Sequence, residues 1–136
     1  MKILALLFLT FFLLACTSQS KKTIHEQLDA CKEGYLMALN SNIPDLTEDV
    51  IFKIILKRMN GIWDNSEDIE NLLSKLAIEG RNESIREKAF LALSYLNCKD
   101  EVCRTEIKAG YHDPEKMFGL LKSYLNDNYN LRYSSE

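Results

Sequence analysis

Apolar residues recur at steps of three and four along nearly the whole chain beyond residue 23. That spacing limits the fold to packed amphipathic helices. Ile24, Leu28, Cys31, Tyr35 and Leu39 form the first stripe, over about 24–40, and Ser41-Asn42-Ile43-Pro44 breaks it. Leu46, Val50, Ile51, Ile54, Ile55 and Met59 face inward from a second helix over about 46–59, stopped by Asn60-Gly61. Ser66 is placed to cap a third helix with the stripe Ile69, Leu72, Leu73 and Leu76, ended by Gly80. Ser84-Ile85-Arg86-Glu87 has the form of a capping box and opens a fourth, reaching about Asn97. A short fifth spans about 100–108. Asp113-Pro114-Glu115 combines a cap, a proline at the first helical position and an acid in the first turn. It opens a sixth helix carrying Met117, Phe118, Leu121, Tyr124 and Leu125, with a frayed tail over 128–136. Composition agrees, since 21 Leu against 2 Val favours helices over strands. The expected fold is all-α, a compact bundle of five to six short helices over 23–127.

The first 15 residues break the pattern, because 13 of them are apolar and Thr10 is the one polar residue between Ile3 and Leu14. A basic start, an apolar run of 12 and a small residue at Ala15 read as a secretory signal over 1–15. The run is well short of the ~20 residues a membrane-crossing helix needs. Leu13-Leu14-Ala15-Cys16 resembles the lipobox of bacterial lipoproteins. The resemblance implies that Cys16 is diacylglycerylated, becomes the first mature residue after cleavage, and is then usually acylated. Several acyl chains at ~0.8 kcal/mol per buried methylene anchor a protein durably, where one binds only marginally. Thr17 follows the cysteine. By family analogy, the absence of an aspartate there favours the outer membrane, with the protein facing the periplasm. Residues 16–22 then form the lipidated cysteine and a polar tether.

The stretch Ile85-Arg86-x-x-Ala89-x-x-Ala92-Leu93-x-x-Leu96, preceded by the helix carrying Ile69 to Leu76, resembles a HEAT repeat over about 69–97. The small Ala89 and Ala92 allow a neighbouring helix to approach closely. No second copy is evident in the sequence, which points to one such hairpin within a bundle. By analogy it favours a protein-binding surface.

Beyond Cys16, the cysteines are Cys31, Cys98 and Cys103. In an oxidising compartment at most one intramolecular pair forms. On a continuous helix the Cα atoms of Cys98 and Cys103 would be about 8–9 Å apart, beyond the ~7 Å limit for bridging. A Cys98–Cys103 bridge, the favoured pair, therefore requires a turn at Lys99-Asp100. The alternative joins Cys31 to Cys98 or Cys103 and closes a loop of about 70 residues.

Catalytic signatures are sparse, and no enzyme is expected. His25-Glu26-Gln27-Leu28-Asp29 begins like a zinc-protease helix but has Asp29 where the second histidine must bind. His112 beside Asp113 has no nucleophile near it in sequence, and it reads as a turn residue before the capped helix. Cys98, Cys103 and His112 supply too few ligands at recognised spacing for a metal. No cofactor is expected. Basic residues are scattered rather than striped, which argues against nucleic acid. Beyond the signal the charge is −4, from 16 basic and 20 acidic residues. Trp63, next to Gly61-Ile62, is a candidate interface anchor whose alternative is core burial. The functional expectation is a lipid-anchored periplasmic module that binds a protein partner, one concrete form being an immunity lipoprotein that neutralises a delivered toxin. The alternative is a structural accessory lipoprotein of a cell-envelope or secretion complex.

Overall fold

A computed structural model describes residues 24–63, 66–98 and 101–130. The expected signal segment over 1–15, and Cys16 with the expected tether to residue 22, fall outside the described residues. The protein is all-α. Helices α1 (Ile24–Leu39), α2 (Pro44–Met59), α3 (Glu67–Glu79), α4 (Glu83–Asn97), α5 (Glu101–Ile107) and α6 (Pro114–Tyr129) follow in order, with a 3-10 turn at Lys108–Gly110 before α6. No strand occurs among the described residues. Two units divide the chain, one ending at Glu33 and one running from Gly34 to Glu136. The hydrophobic core, from Ala38 to Leu125, belongs to the second.

Local chemistry accounts for the helix ends. Pro44 occupies the first turn of α2, starting it two residues earlier than the apolar stripe suggests. A proline there sacrifices no hydrogen bond, because that N–H has no intrahelical acceptor. At the other end Gly61 has φ +72, which turns the chain so that the following Ile62 N–H donates back to the Lys57 carbonyl at 3.0 Å. The expected Ser84 capping box is replaced by Asn82, whose Oδ1 accepts from the Ile85 N–H at 2.8 Å and starts α4 at Glu83. Asp113 caps α6 as expected, accepting from Lys116 N–H at 3.1 Å. Ser66 precedes α3, but its hydroxyl caps nothing. At its far end α6 continues through Asn128 and Tyr129, within the stretch expected to fray, and closes on Asn130 in the left-handed region.

Helix α4 lies at the centre, packed against α2, α3 and α6, while α5 folds back on α6. Ala89 and Ala92 on α4 are fully buried, as the close approach of its neighbours requires. Around them lie Ile51, Ile54 and Ile55 from α2, Leu73 from α3, Ile107 from α5, and Met117 and Leu121 from α6. Leu46, expected to face inward, is 40% exposed instead. Thr47 takes the inward position, and its hydroxyl donates to the Ala38 carbonyl at 3.1 Å and so ties α2 to the end of α1. Cys31, expected on an apolar stripe, is exposed. Among the described residues no helix is long and apolar enough to cross a membrane.

Candidate functional site

Two clefts flank the line where α4 meets α6. Near their N-terminal ends Lys88 is the organising residue, with its side chain only 10% exposed. Its ammonium donates to Glu48 on α2 at 2.6 Å and to Glu115 on α6 at 2.7 Å, and lies 5.4 Å from the centre of the Phe118 ring. One buried cation therefore joins three helices. A second pair, Lys122 with Glu87, also bridges α6 and α4, from the residue next to Lys88 to one about two turns beyond Glu115. The cleft beside these pairs holds about 370 Å³ and is also lined by Glu83, Ser84 and Leu91.

Burial works against the charged form of Lys88, but the hydrogen bonds it donates to Glu115 and Glu48, with the negative charge of both carboxylates, outweigh it and hold the ammonium above its ordinary pKa. A lysine nucleophile needs the opposite shift. Lys88 is thus built to stay charged and to hold helices together.

At the C-terminal ends the chemistry changes. The cleft there, of about 490 Å³, is lined by Phe90, Leu93, Ser94, Asn97 and Cys98 from α4 and by Leu125 and Tyr129 from α6. The Cys98 thiol donates to the Tyr129 hydroxyl at 3.5 Å. With Lys88 beside Glu115 at one end and Cys98 beside Tyr129 at the other, α4 and α6 run in the same direction.

Among the described residues no disulfide joins Cys98 to Cys103, and none joins Cys31 to either. The required break does occur, since α4 ends at Asn97 and α5 begins at Glu101. It sends the two sulfurs to different surroundings, however. Cys98 is half-buried at the α4 terminus in extended backbone, whereas Cys103 is buried in the core. Tyr95 is buried near both, and its hydroxyl is pushed up to about 12, chiefly by burial and further by the neighbouring Cys103 and Cys98.

Trp63 is half-buried and packs against the core. Its indole N–H is buried without a hydrogen-bond partner among the described residues, as is the Ser66 hydroxyl. His112 is exposed, with its ring edge-on to Tyr111 at 4.9 Å between centroids. Among the described residues no group of three or more His, Cys, Asp or Glu side chains is placed to hold a metal ion. The Glu48–Lys88–Glu115 cluster was not anticipated from sequence. A signal for it exists: Lys88 lies three residues after Ile85 and four before Ala92, a charge on the apolar edge of α4. No protein-family model matches the chain, and no solved structure matches it.

Proposed function

We propose that this protein is a lipid-anchored, protein-binding module of the bacterial periplasm, held at the outer membrane through Cys16. The single observation that carries this reading is Leu13-Leu14-Ala15-Cys16 at the end of a short apolar run with a basic start. The polar stretch from Thr17 to Lys22 supports it, because its residues suit a solvated tether. Side-by-side helices provide the kind of broad, rigid surface on which protein partners dock. An excess of acidic residues beyond the signal suits a basic partner, and the concrete form we propose is an immunity lipoprotein that occludes a delivered toxin.

The test is Cys16→Ser in the full chain, followed by metabolic labelling with an alkyne fatty acid and membrane fractionation. Label and membrane retention should both disappear. A variant that still fractionates with the outer membrane would overturn the anchor. Site-specific photo-crosslinking from the domain surface in cells then identifies the partner. A toxin supports the immunity reading, and a subunit of an envelope machine replaces it.

A further inference from the structure

Among the described residues, those lining the cleft at the C-terminal ends of α4 and α6 carry no charge. Lysine, arginine, aspartate and glutamate nonetheless make up 27% of the chain. Its chemistry is also graded. Along α4 the lining follows one helical stripe, from Phe90 and Leu93 through Ser94 to Asn97 and Cys98. These eight steps span about 12 Å of helix. The stripe is apolar at its start and polar but neutral at its end. The polar end is completed by Tyr129, whose hydroxyl meets the Cys98 thiol, while Leu125 adds to the apolar wall. A volume of about 490 Å³ with apolar walls and a few convergent polar groups is the anatomy of a small-molecule site.

We propose that this cleft binds a neutral amphiphile with a single aliphatic chain. The chain lies against Phe90, Leu93 and Leu125, and an uncharged hydrogen-bonding head sits at Asn97 and the Cys98–Tyr129 pair. The neutral lining selects the head. An anionic head would be stripped of water with no cation among the described lining residues to receive it and with two helix C-termini facing it, whereas a glyceryl or alcohol head exchanges water for the Asn97 amide and the Tyr129 hydroxyl. This site is independent of the protein-binding reading, and it stands whether or not Cys16 carries lipid.

The three remaining cysteines make the experiment self-controlled. Cys98 lines the cleft, Cys31 is exposed, and Cys103 is buried in the core. The purified full-length protein is treated with iodoacetamide, and alkylation of each cysteine is followed by mass spectrometry of its peptide. Monodecanoin, the neutral probe, should slow Cys98 alkylation severalfold and leave Cys31 unchanged. Decanoate, ionised at neutral pH, should need about ten times the concentration or more for equal protection, because it must be desolvated in the cleft. Leu93→Asp should abolish protection while Cys103 stays unreactive, which reports an intact fold. Should that variant unfold, Phe90→Ser and Tyr129→Phe test the two ends of the cleft separately. Equal slowing of Cys98 and Cys31, no slowing of either, or equal protection by decanoate overturns the proposal.

Discussion

Replacing Lys88 with methionine keeps most of the aliphatic stem and removes the charge, so it isolates what the cation contributes. The two carboxylates it leaves behind are not equivalent. Glu115 has a side chain 80% exposed and can turn to water, so its loss of a partner costs about 0–1 kcal/mol. Glu48 is 24% exposed and faces the site from α2. Stranding a fully buried charge costs about 3–5 kcal/mol, and partial access to water reduces this to roughly 2 kcal/mol for Glu48. For a domain of this size that corresponds to a fall in Tm of about 8–16 °C. The assay is urea unfolding at pH 7 followed by tryptophan fluorescence, since Trp63 is the one tryptophan.

Glu48→Gln and Glu115→Gln complete the comparison, and Glu48→Gln should be clearly the more damaging of the two. The pH dependence has a defined sign. Because the folded protein raises the Lys88 pKa, the cluster contributes fully below the ordinary lysine value of about 10.4 and its contribution fades as pH rises through the folded value. Lys88→Met should lack that alkaline loss. A Lys88→Met protein within about 0.5 kcal/mol of the parent would refute the reasoning, because that is the range of a surface charge with no structural role. Equal effects of the two glutamate substitutions would refute the exposure argument.

The packing of the same helices can be tested at two small residues. Gly110→Ala would drive a Cβ into the Met117 backbone at the start of α6. Backbone cannot rotate away as a side chain can, so a loss of about 2–4 kcal/mol is expected, read as a shift in the urea midpoint. Ala89→Leu places a large side chain where α4 is fully buried, and overpacking should cost about 1–3 kcal/mol. An Ala89→Leu protein as stable as the parent would mean that α4 is less closely packed than its burial indicates.

Some elements were legible in the sequence because their causes are local. A helix needs only its own apolar spacing and its own ends, so Ile69 and Leu73 mark the inner face of α3, and Asp113-Pro114 marks the start of α6. Errors arose where two local signals competed. Asn82 and Ser84 both qualify as caps, and only the side chain that reached the free Ile85 N–H decided the boundary. Leu46 and Thr47 are neighbours, and the end of α1 determined which turned inward by offering the Ala38 carbonyl to the threonine.

By itself, then, the sequence determined an all-α chain with its helices nearly in place, and it carries Leu13-Leu14-Ala15-Cys16, which resembles a lipobox. Helix periodicity and capping act over three or four residues, and a targeting motif is read as a linear string. Only the tertiary structure decided that Glu48, Lys88 and Glu115 meet, and that Cys98 and Cys103 face different neighbours. It likewise brought Phe90, Leu93, Leu125 and Tyr129 into one cleft. Those outcomes depend on how far each helix is rotated and shifted against the next. That rotation is set by the packing of small residues such as Ala89 and Ala92 against α2, α3 and α6, which no local pattern encodes.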